Sequence, residues 1–342
     1  SLSGKGDVGS SIEALGIPLY TLDMRPSRPS VMDWYRLRKL VTTLGPDLVQ
    51  GWMYHGNLAA STAVGNSIPV VWGIRQSLYG LDLERALTRW VIRVGAFLSR
   101  RCPHAIVYNS RTSAKQHEAF GFSSAQSRNI PNGFDTEEYT PNEDARVSVR
   151  QELGLGDNVV LIGLIGRYHL MKDHRNFMSA AALLSKEFLN VRFLLAGYGV
   201  DSNNPALHSM IREFELGDRV LLLGERQDIP QLNAAMDIAS SASAWGEGFA
   251  NVIGEAMSCG VPCVVTDVGD SAWIVGNTGK VVPIRDPVAL AAAWKSLTLL
   301  CRAKRQQLGF LARQRVIENF SLDSVVKQYE DLYSSVIARE RF

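Results

Sequence analysis

Short apolar runs rich in valine and isoleucine alternate with amphipathic stretches along the whole chain. That alternation predicts parallel strands covered by helices, an α/β architecture. The rhythm occurs twice. In the first half the predicted strands are 17–22, 47–52, 69–74 and 104–110, and a helix over 31–44 sets Trp34, Leu37, Leu40, Val41 and Leu44 on one face. In the second half the strands are 159–165, 191–197, 219–224, 237–243, 262–267 and 279–284, several of them ending in glycine or serine where a helix follows. The last stretch, from Ser321 as N-cap, predicts a long helix with Leu322, Val325, Val326, Tyr329, Leu332 and Val336 near one face.

A chain of 342 residues exceeds the roughly 100–200 of a typical domain, so two domains are expected. The polar, proline-bearing stretch 136–146 reads as their connection. The expected division is a first domain over 1–140, a second over 141–320 and a terminal helix over 321–342. The opening segment SLSGKGDVGSSIEALG is small and polar, where a Rossmann-like half ordinarily begins with an apolar strand running into a glycine-rich turn. The first domain is therefore expected to lack its first strand and helix.

Apolar residues at 46% and charged residues at 20% exclude a disordered or fibrous chain. A net charge of +2, with no massed basic run, gives no argument for a nucleic-acid partner. Cys102, Cys259, Cys263 and Cys301 form no tight metal-ligand pair and read as small buried hydrophobes in a reducing compartment. No run of about 18 apolar residues is present, and a cytoplasmic location is expected. One stretch departs from the even charge distribution. Arg85, Arg89 and Arg93 recur beside Trp90, Val94, Phe97 and Leu98, which fits either a solvated helix over a core or peripheral contact with an anionic inner-membrane surface.

Chemistry is sought beyond the carboxyl ends of the strands, where open parallel sheets bind ligands. Arg167 follows the 159–165 strand and Lys172 stands five residues on, a pair suited to a diphosphate: arginine offers a planar fork and lysine a compact charge. Glu247 and Glu255 lie eight positions apart, a little over two helical turns, so both can point toward one side. Between them the amides of Gly248, Phe249 and Ala250 open a helix whose N-terminus attracts phosphate oxygens. No Asp-x-Asp motif for a metal-held diphosphate stands out. The nearest acidic pair, Asp82 with Glu84, reads as a helix start.

The run GRYHLMKDH, the glutamate pair within EGFANVIGEAMSCGVPCVVTDVG, and GWMYHGN, VVWGIR, IVYNS and IPNGFD in the first half closely resemble the family-4 retaining glycosyltransferases. The likeness is to bacterial members that build exopolysaccharide, capsule or lipid-linked glycans, and it runs over nearly the whole chain. It implies the GT-B fold, two Rossmann-like domains facing a cleft. It further implies a nucleotide-diphosphate sugar donor, a glycan or lipid-linked acceptor, and no metal or other cofactor. By the same resemblance Arg167 and Lys172 hold the diphosphate, Glu255 takes the ribose hydroxyls and Glu247 lies against the transferred sugar. Arg226 falls where the backbone meets the nucleobase, and His55 faces the sugar from the first domain. Asn132–Gly133 fits either a place facing the cleft or an ordinary turn signal. Asp270 departs from the glycine common in the family after TDVG, which leaves that loop's geometry open.

The resemblance implies a proton passed to the leaving phosphate and retention of configuration. Two rivals stand beside it. A glycosidase needs two carboxylates and no phosphate clamp, which Arg167 and Lys172 argue against. A nucleotide-sugar-binding module, inactive for want of the amino-terminal segment, is the other.

Overall fold

A computed structural model describes residues 1–6, 8–24, 30–65, 67–81 and 85–340. Asp82 and Glu84 lie outside the described residues. The chain divides into two compact units: Ser1–Asn109 with Ser113–Ile130 and Tyr329–Phe342, and Ser110–Thr112 with Pro131–Gln328.

The first unit holds four parallel strands, β1 (Val49–Trp52), β2 (Val70–Ile74), β3 (Ala105–Tyr108) and β4 (Ser127–Asn129), side by side in chain order. Every residue of β2 and β3 is buried, as expected of strands covered on both faces. Several polar groups in this core are partnered, while the buried Tyr108 hydroxyl has no hydrogen-bond partner. Trp72 Nε1 donates to Ser61 Oγ at 2.8 Å, and Asn57 bridges the N–H and C=O of Gly73, each at 3.3 Å. His117, fully buried, is bonded to the Tyr54 hydroxyl at 2.9 Å and to the Ser113 carbonyl at 2.8 Å, and burial pushes its imidazole down to about 4. The terminal helix Leu322–Glu340 contributes its later turns to this unit. Tyr329 lies against Trp52, its hydroxyl accepting from Arg75 at 3.2 Å, and Tyr333 donates to Gln50.

One sequence expectation fails here and another holds. The run 17–22 forms no strand: Ile17 and Tyr20 are exposed, and its backbone bonds run to Ser1, Leu22 N–H donating to the Ser1 carbonyl and the Tyr20 carbonyl accepting from the Ser1 amino group. The helix Val31–Leu44 forms, closed at Ser30 by a capping box with Asp33, yet none of its residues is fully buried and Trp34 and Leu44 of its apolar face are exposed.

The second unit holds β5 (Val160–Ile165), β6 (Val191–Ala196), β7 (Val220–Leu222), β8 (Ile238–Ser241), β9 (Cys263–Thr266) and β10 (Lys280–Val282), all parallel, in the order β10-β9-β8-β5-β6-β7. The chain runs outward from β5 to β7, then returns to lay β8 on the other side of β5. Alternating residues feed two cores: Leu161 and Leu194 pack with Ile253, Met257 and Phe320, while Ile162 and Phe193 pack with Phe177 and Trp294.

The division between units falls at residues 130 and 131, ahead of the polar stretch 136–146. Part of that stretch is helix, Glu143–Glu152, because the Asn142 side chain caps it from Ala145 N–H at 2.9 Å and Glu143 and Asp144 favour its positive end. All four cysteines are free thiols. Cys259 and Cys263 are buried as expected, but Cys102 is half-buried and Cys301, at the foot of helix Arg302–Phe320, is exposed.

Candidate functional site

The reversal of strand order places the carboxyl ends of β5 and β8 side by side, with the chain diverging on either hand. Such a switch point leaves a crevice that no crossover covers. The loops that leave these two strands therefore decide the chemistry of the second unit.

After β5 come Gly166 and the exposed Arg167, then the short turn Leu170–Lys172. His169 Nδ1 caps that turn by accepting from Met171 N–H at 3.1 Å. Asp173 next adopts left-handed φ 47°, rare for a non-glycine residue, and caps helix His174–Ser185 by accepting from Asn176 N–H at 3.1 Å. Ala244, beyond β8, donates to the Met171 carbonyl at 2.8 Å, so the two loops are tied together. The result is that Lys172 Nζ reaches Glu247 Oε1 at 2.6 Å, with the two side chains only 14% and 11% exposed. Ser243 Oγ donates to the same oxygen at 2.9 Å, and Ser243 is itself buried, its carbonyl accepting from Thr266 Oγ1 at 2.6 Å. Glu247 is thus held in one orientation by a cation and a hydroxyl.

Helix Asn251–Ser258 comes next, and its N-cap is Ala250, which has no side chain to satisfy the first amides. Ile253 N–H already donates to the Ala250 carbonyl at 3.1 Å, which leaves the N–H groups of Asn251 and Val252 for an anion. Of the three residues expected here, Gly248 and Ala250 act only through backbone. Phe249 is 7% exposed because its ring belongs to the core, stacked on Phe134 at 6.0 Å and edge-on to Trp273 and Phe320. The loop is braced from β9. Gly269 has φ 58° and a Cβ there would stand 2.3 Å from the Glu247 carbonyl, while Asp270 N–H donates to the Gly248 carbonyl at 3.0 Å.

The geometry around Asp270 is well defined. Its φ of −101° needs no glycine, and its buried carboxylate accepts from Arg111 N–H at 2.6 Å, Thr112 N–H at 3.0 Å and Thr112 Oγ1 at 2.8 Å. Asn132 donates to Asn251 Oδ1 at 2.7 Å, a link across the helix start that accounts for it structurally.

The other expected residues have surroundings of their own. Glu255 lies about one turn into helix Asn251–Ser258, half-buried, and Glu247 stands ahead of that helix rather than on it. Burial raises the Glu255 carboxyl above the usual range, Glu138 adding to the effect. Arg226 is engaged elsewhere: it donates to Asp228 Oδ1 and Oδ2, both at 2.7 Å, and to Glu152 at 2.7 and 3.2 Å, so its guanidinium is spent on holding the loop after β7. His55 is in the first unit, exposed near the start of helix Met53–Val64. It lines a largely apolar cavity of about 230 Å³ with Trp34, Leu37 and Leu58. The strand-to-helix turn before it is strained, Met53 standing at φ 61°.

Sequence reasoning missed Ser243 and His174. Ser243 ends the expected strand 237–243 and carried no motif of its own. His174, two residues after Lys172, is buried with neither ring nitrogen bonded, and burial with the Lys172 charge pushes it down to about 4. Among the described residues no group of three or more His, Cys, Asp or Glu side chains is placed to hold a metal ion.

Residues 5–138 match the family model described as Glycosyltransferase Family 4, and residues 159–299 match the one described as Glycosyl transferases group 1. The chain is similar to N-acetyl-alpha-D-glucosaminyl L-malate synthase of Bacillus anthracis, 28% identical over 196 residues, covering 56% of this chain and 50% of that protein. It is also similar to the UDP-Gal:alpha-D-GlcNAc-diphosphoundecaprenol alpha-1,3-galactosyltransferase of Escherichia coli, 27% identical over 218 residues, 62% of this chain and 54% of that one. In these alignments the chain spans about half the length of the curated relatives it matches. Among solved structures, Anabaena HepE in complex with UDP superposes with a TM-score of 0.84 at 23% identity, over 95% of this chain and 88% of HepE. At that identity the likeness speaks for the fold.

Proposed function

Because the chain belongs to the family-4 glycosyltransferases of the GT-B fold, we propose that it moves a sugar from a nucleotide-diphosphate donor onto a glycan or lipid-linked acceptor, retaining the anomeric configuration. The observation that carries this reading is the Lys172–Glu247–Ser243 cluster beside an uncapped helix N-terminus, all at the carboxyl edge of β5 and β8. A carboxylate so positioned is suited to a sugar, and cations with open amides to a diphosphate. The solved complexes of HepE with UDP and with UDP-glucose, and the UDP-Gal donor in the name of the Escherichia coli relative, support a uracil nucleotide as the donor's base.

In this reading Arg167, Lys172 and the amides at Gly248–Ala250 balance the charge that grows on the diphosphate as the sugar leaves, without a metal or cofactor. The acceptor oxygen forms the new bond to the anomeric carbon, the bond to the diphosphate oxygen breaks, and a leaving phosphate oxygen takes the acceptor's proton. Glu247 lies against the transferred sugar and Glu255 takes the ribose. The base is left to the backbone around Arg226, whose guanidinium is already paired. His55 is assigned to the reacting sugar on the resemblance alone.

The surface of the first unit bears on the place of action. On helix Ala86–Leu98 the buried residues are Val91, Ile92, Gly95 and Ala96, whereas Trp90 and Phe97 are 59% and 74% exposed beside Arg93. An exposed aromatic and basic face supports peripheral contact with an anionic membrane on the cytoplasmic side, where lipid-linked glycans for the cell surface are lengthened. No helix among the described residues is long and apolar enough to cross a membrane.

Incubation with a panel of UDP-sugars and a lipid-linked acceptor extract tests the proposal. Released UDP, a lengthened glycan and a product whose proton NMR coupling matches the donor's anomer are expected. An inverted linkage would overturn the mechanism, and nucleotide binding without product would favour the binding module instead.

A further inference from the structure

At the other edge of the six-stranded sheet, Asp237 precedes β8 and Gly260–Pro262 precede β9, and a cavity of about 250 Å³ opens between them and the first turns of helices Glu143–Glu152 and Arg302–Phe320. Arg146, Arg302 and Arg305 line it, with Glu143 and Asp237 as its acids, and Arg150 reaches the same aspartate from behind.

Both oxygens of the Asp237 carboxylate are engaged. Its Oδ1 accepts from Arg146 at 2.8 Å, and its Oδ2 accepts from Leu161 N–H at 2.9 Å and from Arg150 at 3.2 Å. Arg305 is 9% exposed: its Nη1 donates to the carbonyls of Leu300, Thr298 and Leu297, its Nη2 stands 3.8 Å from Asp237 Oδ1, and its buried Nε has no hydrogen-bond partner. Arg302 sits at the mouth, 42% exposed, held by Glu143 at 2.5 Å in a solvent-facing pair. Asp157 acts electrostatically on Arg150 and Arg302 from outside the cavity. In the cavity Arg146, Arg302 and Arg305 therefore face two carboxylates, Asp237 and the rim-lying Glu143, with Arg150 adding a fourth guanidinium behind Asp237. A buried cation short of a partner is costly to keep unless an anion supplies the missing acceptor.

From this arrangement we propose that the cavity binds a small phosphate-bearing anion, seated between Arg305 and Arg302, at the sheet edge opposite the donor site. Arginine forks match phosphate oxygens in geometry as well as charge. A space of about 250 Å³ lies below the roughly 300–1,000 Å³ of sites for drug-sized ligands, which argues against a nucleotide sugar here and for free phosphate or the monoester of a small metabolite.

Calorimetric titration of inorganic phosphate and of glycerol 3-phosphate, at ionic strength fixed with sodium chloride, tests the site on the wild type, Arg302→Gln, Glu143→Gln and Lys172→Ala. Binding should persist in Lys172→Ala, weaken about 10- to 100-fold in Arg302→Gln, as expected for a lost charge-assisted contact, and tighten in Glu143→Gln, which frees Arg302 from its competitor. A merely structural arginine network would not tighten. Preference for glycerol 3-phosphate would assign a metabolite, and equal affinity would assign free phosphate. Absence of binding, or binding lost in Lys172→Ala and kept in Arg302→Gln, would overturn the proposal.

Discussion

Replacing Lys172 with alanine removes the cation from the Glu247 carboxylate, with two separate losses expected. The first is stability. Removing one partner of a buried ion pair costs about 3–5 kcal/mol when the remaining charge is stranded. Glu247 keeps its 2.9 Å bond from Ser243 and some contact with water, so about 2 kcal/mol is the expected cost. For a unit of this size that lowers the melting temperature of the second unit's transition by about 4–8 °C. Glu247→Gln should cost less, since an amide needs no counter-charge, and the double variant should be more stable than the sum of the singles by about 1 kcal/mol or more. The second loss is UDP affinity, weakened about 10- to 100-fold. Scanning calorimetry with the three variants reads the first, and titration calorimetry the second. Additive stabilities would mean that the pair is not formed in solution, and unchanged UDP affinity would remove Lys172 from the donor site.

Two further outcomes are expected. Glu255→Ala should mainly weaken donor binding and Glu247→Gln mainly slow turnover, one being assigned to the ribose and the other to the reacting sugar; steady-state kinetics showing the reverse would mean the roles are exchanged. His117 and His174 are held near 4 in the fold against the usual 6.5, chiefly by burial, so each contributes stability that is present above about pH 6.5 and is lost as pH falls through about 4, on the order of 3 kcal/mol apiece. Urea unfolding between pH 7.5 and 4.5 should show the decline, His117→Gln should flatten it for the first unit alone, and a profile level across that range would refute the assignment.

The strands β5, β6, β8 and β9 were legible because each is a run largely buried on both faces and bounded by turn residues, a pattern that burial itself writes into the sequence, while β7 and β10 at the sheet's edges are less covered. The run 17–22 is also largely apolar, but among the described residues it bonds only to Ser1 and joins no sheet, and pairing is not encoded locally. At the site, charged residues at strand ends identified Lys172 and Glu247, while their contact depends on the Ala244–Met171 backbone bond, which no spacing reveals. Arg226 shows the converse. Its position after β7 read as a base-binding loop by the resemblance, yet its guanidinium is shared between Asp228 in the same loop and Glu152, 74 residues earlier. Ser243 was invisible for a simpler reason: a serine closing a small-residue strand looks the same whether or not a carboxylate stands above it.

The cluster at β5 and β8 is assigned to hold a nucleotide-sugar donor during transfer. The most direct test is a transfer reaction with a radiolabelled UDP-sugar panel and the lipid-linked acceptor extract, run with the wild type and Lys172→Ala. One UDP should be released for each labelled sugar incorporated, with both falling together by at least about tenfold in the variant when the donor is limiting. Incorporation unaffected by Lys172→Ala, or UDP released with the label left as free sugar, would contradict the assignment.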